Sequence, residues 1–263
     1  MAERQRGKRR VHAYCVGAPK TGTHSVAGMF ESCLKVQHEP TSKPLLRAIQ
    51  ESRRFPELKQ DYRSWLYWRD KQDSWELESN HLLAAFTPTL VSLFPHAKFI
   101  ITVRSPRAWL GSMLDDQLNA REWIQSQAPL WASVYHYYFS GFSRPCAGDE
   151  QPLENRGLFP LDGYLRFWAA HLNLVLEAIP ESRRIVVCTS DLGESKGFLS
   201  AFLNIEEPKS RSDSNHLYAT QKKHGLLDLI DPPYLHRKLV YWRDQLRPRL
   251  RRLLPEKILD LGG

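Results

Sequence analysis

The sequence predicts an α/β fold with three layers, in which helices flank a central parallel sheet that begins with a P-loop-like strand, loop and helix. Two apolar runs, residues 98–103 and 185–189, are continuous rather than alternating, which is typical of parallel strands covered on both faces. Helical patterns separate the predicted strands, and a glycine loop follows the first of them. We therefore expect one domain over residues 11–263, preceded by a disordered basic arm over residues 1–10.

Strand-forming and helical patterns alternate along the N-terminal half. Residues 11–16 are mostly β-formers, and Pro106 stands where a helix would begin after the strand at 98–103. The predicted elements are, in order, a strand at 11–16, a helix at 23–34, a short strand at 36–39, helical residues 44–71, a helix at 81–94, a strand at 98–103 and a helix at 106–118.

The C-terminal half is less regular. Gly, Pro and polar residues between 140 and 160 predict a long surface loop that could act as a lid. The predicted elements beyond it are an amphipathic helix at 161–179, a strand at 185–189, a helix at 195–203, a turn-rich stretch at 205–224 and a basic helical segment from Tyr234 that is broken at Pro248 and Pro255.

The composition limits the possible functions without choosing among them. With 37 Lys and Arg against 29 Asp and Glu, the net charge is +8, which suits a nucleic acid, a membrane surface or a small polyanion as partner. The 42% hydrophobic content excludes wholesale disorder, and no apolar run approaches the roughly 20 residues of a membrane span. The basic N-terminus lacks the apolar part of a secretory signal, and the four cysteines form no CxxC pair, so we expect a reducing, cytoplasmic location.

A glycine loop after the first strand carries the first chemical signal. Gly17 and Gly22 have the spacing of a P-loop, which turns backbone N–H groups toward a phosphate. A nucleoside triphosphatase continues with Lys and then Ser or Thr, but Thr23 and His24 stand there, and the cation, Lys20, comes inside the loop. The pattern predicts a nucleotide whose single 5′-phosphate bears a transferable group, without a bridging metal; the alternative is a turn that binds nothing.

A second polar pair follows the clearest strand. Arg104 comes at the carboxyl end of residues 98–103, where open α/β sheets bind ligands, and Ser112 follows eight residues later on the predicted helix. An Arg and a hydroxyl that converge there would clamp a second phosphate. The alternative is that Arg104 only ends the strand and Ser112 only packs on the helix.

Together these two elements resemble the sulfotransferases that use 3′-phosphoadenosine-5′-phosphosulfate (PAPS), in particular the bacterial, glycan and tyrosine sulfotransferase-like branch. Residues 17–23 are similar to the family's 5′-phosphosulfate loop, and residues 99–106 with Ser112 are similar to its 3′-phosphate motif. The resemblance implies that Arg104, Ser112 and the loop bind the donor. The loop residues concerned are Gly17, Pro19, Lys20, Thr21, Gly22, Thr23 and His24, the last in place of the family's second Thr.

The resemblance also implies the chemistry. A sulfuryl group would move from PAPS to an acceptor hydroxyl or amine by in-line displacement without a metal, leaving adenosine 3′,5′-bisphosphate. Lys20 is expected to stabilise the leaving 5′-phosphate oxygen, and Glu39 is the first candidate for the general base, followed by His81 and then Glu78. The segment Lys222-Lys223-His224-Gly225 is similar to the basic loop that covers the 3′-phosphate in relatives, or else is a solvated turn.

The acceptor side is less defined. The aromatic residues expected to line an acceptor pocket, or else to form an ordinary core stripe, are Trp65, Trp68, Trp131, Tyr135 and Tyr137. We expect a small-molecule or saccharide acceptor, no nucleic acid, and a monomer or homodimer. Two other functions stay open at this point: a nucleotide kinase with a degenerate P-loop, and a basic nucleic-acid-binding module that uses residues 4–10 and 237–252.

Overall fold

The computed structural model describes residues 9–54, 59–121, 129–140, 148–208 and 222–260 of the chain. Its strands are β1 (Ala13–Cys15), β2 (Val36–His38), β3 (Leu77–Ser79), β4 (Lys98–Val103) and β5 (Arg184–Cys188). Its α-helices are α1 (Thr23–Phe30), α2 (Ser42–Arg54), α3 (Lys59–Asp73), α4 (Thr87–Leu93), α5 (Pro106–Asn119), α6 (Pro129–Phe139), α7 (Gln151–Glu154), α8 (Leu161–Ala178), α9 (Lys196–Leu203), α10 (Pro232–Asp244), α11 (Pro248–Arg251) and α12 (Glu256–Leu259). Short 3-10 helices lie at His81–Phe86, Gly148–Glu150, Glu181–Arg183, Thr189–Asp191 and Leu226–Leu229.

The five strands form one parallel sheet in the order β2-β3-β1-β4-β5. β1 lies at its centre, with Cys15 beside Ser79 of β3 and Ile100 of β4. The chain leaves β1 toward β2 and β3 on one side and later crosses to β4 on the other. The carboxyl end of β1 therefore lies where the strand order reverses, which is the usual ligand position in such sheets.

Helices cover both faces of this sheet, as the continuous apolar strands predict. Phe99 and Ile101 of β4 point into the larger core cluster, which also contains Trp168 of α8. Between them, Ile100 points the other way, into a smaller cluster with Phe30 of α1. The sequence-based prediction of a three-layer α/β fold is confirmed.

β3 is a strand that the sequence pattern does not predict. It is three residues long and carries Glu78 at its centre, so neither an apolar run nor an alternation marks it. The buried carboxylate is accommodated because Arg69 of α3 donates to it from Nη1 at 2.8 Å and from Nη2 at 2.5 Å. β3 lies between β1 and β2, so the sheet has one strand more than we expect from the sequence.

Two predicted helical stretches are divided. Residues 44–71 belong to two helices, α2 and α3, and residues 55–58 between them lie outside the described part. The predicted helix at 81–94 begins as a 3-10 helix, which the side chain of Asn80 caps by accepting from the N–H of Leu82. It becomes α-helical only at α4, which has a proline in its first turn.

The predicted surface loop at 140–160 is partly packed. Residues 141–147 lie outside the described part, and a 3-10 turn and α7 follow them. Glu150 is buried and accepts hydrogen bonds from the Leu161 N–H at 3.0 Å and from the Tyr234 hydroxyl at 2.7 Å. These bonds attach this end of the segment to α8 and α10, so its described part is not the lid that the sequence suggests.

The predicted disordered arm is described only at its last two residues. Arg9 pairs with Asp70 and Arg10 pairs with Glu76, each at 2.8 Å. Both arginines are therefore held against the fold by carboxylates, which differs from the disorder we expect over residues 1–10. The rest of that prediction falls on residues outside the described part.

The basic C-terminal segment is helical and interrupted at its prolines, as predicted. Pro248 is the first residue of α11, and Pro255 immediately precedes α12. Across the part of the chain that the structure describes, no helix combines the length and the apolar character that a membrane crossing needs.

Candidate active site

The glycine loop joins β1 to α1 at the carboxyl edge of the sheet. A Cβ atom on Gly17 would lie 1.9 Å from Oγ1 of Thr102, so no larger residue fits. Gly22 has a φ of 97°, which glycine adopts without strain, and it precedes α1 without a capping side chain. The first N–H groups of α1 thus have no capping side chain as acceptor, which is the arrangement that binds an anion at a helix N-terminus.

Side chains of the loop and of neighbouring elements donate hydrogen bonds to the loop carbonyls. The Thr21 hydroxyl is buried and donates to the Ala18 carbonyl at 2.6 Å. The indole of Trp109 donates to the Pro19 carbonyl at 2.8 Å, and the Thr189 hydroxyl donates to the Thr21 carbonyl at 2.7 Å. Pro19 and Thr21 can therefore offer a ligand their backbone positions, whereas the Thr21 hydroxyl is already engaged.

Lys20 lies at the tip of the loop with a φ of 65°, in the left-handed region. Its Nζ atom is 2.8 Å from Oδ1 of Asp116 on α5, and both side chains are about four-fifths buried. Asp116 is a partner that the sequence-based prediction missed. Its signal was present, because Asp116 follows the predicted Ser112 by four residues and so lies on the same helix face.

Arg104 and Ser112 both lie next to the loop. Arg104 Nη1 donates to the Lys20 carbonyl at 3.4 Å, and burial lowers the pKa of its guanidinium. A cation that is stripped of water in this way favours an anionic partner. Ser112 lies one helical turn before Asp116, so it is on the face of α5 that meets Lys20.

Glu39 and His81, the two leading candidates for the base, are hydrogen-bonded to each other. Nδ1 of His81 lies 2.7 Å from Oε1 of Glu39. His81 is 5% exposed, and its other ring nitrogen, Nε2, is buried without a partner among the described residues. A buried nitrogen without a partner is costly unless water or a ligand reaches it, so Nε2 marks a position for a ligand atom.

The electrostatics separate the roles of the two residues. Burial alone would raise the pKa of Glu39, but the adjacent His81 ring outweighs it and lowers that pKa to about 2. Glu39 is therefore ionised at neutral pH and is a weak proton acceptor. Glu39 is suited to orienting the His81 ring, and the His81 ring is suited to accepting a proton.

Glu78, the third candidate, is not in the crevice. Its carboxylate is 3% exposed, bonded to Arg69 through both oxygens and to the Asn80 side chain at 3.2 Å. Burial raises the pKa of Glu78, and the arginine opposes that shift. With both oxygens engaged inside the fold, Glu78 acts as a structural residue.

Two further histidines surround Glu39. The rings of His24 and His38 are stacked with their centroids 4.7 Å apart, and His38 Nε2 lies 3.4 Å from the Thr23 hydroxyl and 3.8 Å from Glu39. Burial lowers the pKa of both rings, that of His38 to about 4, so both are neutral at pH 7. Strand alternation would separate His38 from Glu39, but Glu39 has a φ of 47° and turns back toward it.

Lys222 and Lys223 lie against α5, next to residues other than Asp116, the partner of Lys20. Both are exposed, and the Lys222 carbonyl accepts from Asn119 at 2.9 Å. Lys223 lines a cavity of about 350 Å³, together with Ser105, Arg107, Gly111, Asp115 and Gly225. This cavity adjoins the N-terminal turns of α5, and Arg104, Ser112 and Lys222 are not among its lining residues.

The predicted aromatic residues divide into two groups. Trp131 stacks on the His81 ring at 5.6 Å between centroids, and Tyr135 packs on Trp131 at 5.9 Å. Trp65 packs against the larger core, and Trp68 is 68% exposed on the surface. The side chain of Tyr137 lies outside the described part. Trp131 and Tyr135 are thus the two that meet the crevice.

The described residues bring no three of His, Cys, Asp and Glu together as a metal ion would need. That finding does not test the expectation of metal-free chemistry, which stays a prediction. The donor set of the crevice consists instead of two cations, an uncapped helix start and neutral imidazoles, and this set suits an anion.

Comparisons with known proteins agree with this geometry. A family model described as a sulfotransferase domain matches residues 14–215. A sulfotransferase crystal structure from Alicyclobacillus acidocaldarius has a similar fold, with a TM-score of 0.52 and 14% identity over 92% of this chain and 95% of that one. A sulfotransferase domain from the Synechococcus PCC 7002 olefin synthase aligns with a TM-score of 0.41 and 14% identity over 93% of this chain and 95% of that one. No curated protein matches the chain.

The glycine loop, the strand that ends in Arg104 and the Glu39–His81 pair all fall within the matched residues. That match covers most of the chain. The chain therefore belongs to the sulfotransferase family.

Proposed function

We propose that this sulfotransferase uses PAPS as donor and sulfates a hydroxyl or amine of a small-molecule or saccharide acceptor. The observation that supports this most strongly is the proximity of Lys20, Arg104 and the uncapped start of α1 at one edge of the sheet. Such a set suits a nucleotide with anionic groups on both sides of its ribose. Bound PAPS would supply the sulfuryl group and a 5′-phosphate oxygen as leaving group, releasing adenosine 3′,5′-bisphosphate.

The donor-side residues have distinct roles in this proposal. Gly17 and Gly22 let the backbone approach the 5′-phosphate, and the Lys20 ammonium neutralises charge on the departing oxygen. Arg104 and Ser112 hold the 3′-phosphate. Lys223 lines a cavity at α5 whose lining residues include neither of them, so its contact with the donor stays a prediction. Lys222 contributes charge only, because it is exposed and outside that cavity.

On the acceptor side, His81 is the general base and Glu39 is its positioning residue. Nε2 of His81 takes the proton from the acceptor as the new oxygen–sulfur bond forms. The ionised Glu39 accepts from Nδ1–H, which fixes the tautomer and stabilises the imidazolium that results. The order of the two sequence-based candidates is thereby reversed, since Glu39 is the weaker proton acceptor of the pair.

The family assignment favours sulfuryl transfer over the degenerate kinase and the nucleic-acid-binding module. The cytoplasmic location and the metal-free reaction stay predictions. For the second of these, activity should survive dialysis against EDTA, and a loss that Mg²⁺ restores would contradict the mechanism.

Binding of adenosine 3′,5′-bisphosphate tests the donor assignment directly. Calorimetry should show binding to the wild-type chain and at least about tenfold weaker binding to Arg104→Gln, because a charge-assisted phosphate contact is lost. Arg237→Gln removes the same charge from an exposed site on α10 and should bind like wild type. A wild-type chain that binds ADP but not adenosine 3′,5′-bisphosphate would overturn the proposal.

A further inference from the structure

In the proposed reaction, donor binding leaves the carboxylate of the Lys20–Asp116 ion pair without its cation. This ion pair links the tip of the glycine loop to α5 at 2.8 Å, and both partners are about four-fifths buried. In the proposed reaction the Lys20 ammonium turns to the leaving phosphate. Its contact with Asp116 is then weakened or broken, and a largely buried carboxylate is left close to an anionic donor.

An unpaired carboxylate in that place is unfavourable, because it is desolvated and lies near like charge. A second cation beside Asp116 would offset the unfavourable energy of this buried carboxylate. Within the described crevice, Lys20 and Arg104 are the cations beside the loop, and both are assigned to the donor. An ammonium group on the acceptor would supply this compensating charge.

The surroundings of Asp116 suit a cation. Burial, followed by the negative charges of Asp116 and then Glu39, raises the pKa of the Tyr135 hydroxyl, so this ring lies in the field of both carboxylates. Tyr135 packs on Trp131, and Trp131 stacks on His81. Aromatic faces next to carboxylates attract ammonium groups.

The buried Nε2 of His81 is an independent sign that a ligand occupies this space. His81 is 5% exposed and Nε2 has no partner among the described residues, although Nδ1 is bonded to Glu39. Tyr135, Trp131 and His81 therefore form a continuous row of rings that ends at the proposed base.

We propose that Asp116 selects the acceptor: it holds Lys20 before the donor binds, and afterwards receives an ammonium group carried by the acceptor near its sulfated hydroxyl or amine. This inference rests on the proposed function, since it needs a donor that draws Lys20 away. It narrows the acceptors to amino-bearing compounds, such as an amino sugar or an aromatic amino alcohol.

Matched pairs of ligands test the proposal without requiring turnover. The protein is saturated with adenosine 3′,5′-bisphosphate, and calorimetry measures the binding of tyramine against 4-ethylphenol and of glucosamine against glucose. In at least one pair, the ammonium member should bind about tenfold more tightly or better. Asp116→Asn should reduce that preference to about twofold or less, because the carboxylate that recognises the charge is gone.

Glu181→Gln is the matched control, since it removes an exposed carboxylate just before β5, at the opposite edge of the sheet, and should keep the preference. Equal binding within both pairs by the wild-type chain, or a preference that Asp116→Asn retains, would overturn the inference. The wild-type comparison stands even where the variant folds poorly. Normal binding of adenosine 3′,5′-bisphosphate together with no ammonium preference removes this inference alone, whereas no nucleotide binding removes the proposed function as well.

Discussion

The amino and carboxyl edges of the sheet contain the same types of polar residue, but the surroundings of these residues differ. At the amino edge, Asp70 accepts hydrogen bonds from the Tyr14 hydroxyl at 2.7 Å, His12 at 3.0 Å and Arg9 at 2.8 Å. Each charge there has an opposite charge or a hydrogen bond beside it. This edge holds the first strand to α3, and its polar groups contribute to stability.

At the carboxyl edge, several groups are held in unfavourable states; at the amino edge the same holds for Ser74, which has a positive φ, and for Nε of Arg9, which is buried without a hydrogen-bond partner among the described residues. Lys20, Glu39 and Thr41 have positive φ values, and Nε2 of His81 is buried without a partner among the described residues. Strained backbone and unmet hydrogen bonds of this kind persist where function requires them. We propose that the carboxyl edge is arranged to bind ligands, whereas the ion pairs of the amino edge serve stability.

Replacement of one histidine at each edge should give the largest difference between the edges, in kcat and in melting temperature. His81→Asn should lower kcat by about 100- to 10 000-fold while leaving the affinity for adenosine 3′,5′-bisphosphate unchanged, because the proton acceptor is lost. His12→Asn, at the amino edge, should leave kcat unchanged and lower the melting temperature. Steady-state kinetics with labelled PAPS and calorimetry check both, and near-wild-type turnover of His81→Asn would remove the assigned base.

The second contrast concerns the carboxylate partner of each histidine. Glu39→Gln should lower kcat by about 10- to 1000-fold, less than the loss of the ring itself, since the ring is still present but is oriented less well. Because Glu39 is a positioning residue, Glu39→Asp should recover part of the rate. A kcat that falls as far with Glu39→Gln as with His81→Asn would instead return the base role to Glu39.

At the amino edge, Asp70→Asn should affect stability rather than rate. The carboxylate is 7% exposed and meets three donors, so its replacement should lower the free energy of unfolding by about 2–4 kcal/mol. Urea unfolding measures this change, and kcat is compared at a temperature where both proteins are folded. A variant as stable as wild type would show that the network contributes specificity and not stability.

The smallest expected effect is on the pH dependence of stability, which should differ between the two edges. Burial lowers the pKa of His171, which bonds the Val16 carbonyl behind the glycine loop, to about 4. The unfolded chain takes up this proton below about pH 6.5 and the folded chain does so only near pH 4, so stability falls as the pH decreases through that range. Between pH 7 and 5 the loss should be about 2 kcal/mol from this group.

Asp70 titrates in a lower range. Burial would raise its pKa, but His12 and Arg9 outweigh that effect and lower it to about 2, so its stabilising contribution disappears only as the pH falls from about 3.8 to 2. Urea unfolding of His171→Gln should therefore show a flatter pH dependence from 7 to 5, and Asp70→Asn should not. An unchanged slope in His171→Gln would contradict this separation.

The sequence predicts the parts of the site that follow regular patterns. The glycine loop and Arg104 were predictable because a continuous apolar strand precedes Arg104 and because Gly17 and Gly22 have a spacing with a known backbone use. Both observations depend on residues that are close together in the chain. The fold class follows from the same local signals.

The missed features depend on tertiary contacts. β3 carries a buried glutamate that is bonded to Arg69 and Asn80, and Lys20 meets Asp116 across 96 positions of sequence. Alternation along β2 would separate Glu39 from His38, but the positive φ at Glu39 ends the strand, and the two side chains lie 3.8 Å apart. A single sequence has no local sign of the pairing between Glu39 and His81, which are 42 positions apart, whereas Asp116 could have been identified from its position one turn after Ser112.

The hydrogen bonds around the end of β3 have a consequence for how the acceptor could change over evolution. The Ser79 carbonyl accepts from the Glu39 N–H at 2.9 Å, the Ser79 hydroxyl donates to the Thr23 carbonyl at 2.6 Å, and the Asn80 N–H donates to the Cys15 carbonyl at 2.9 Å. Glu39, His81 and the start of α1 are thus placed by sheet backbone, whereas Trp131 and Tyr135 stand on the separate helix α6. Substitutions on α6 can reshape the space for a new acceptor while the distance between the proposed base and the glycine loop stays the same.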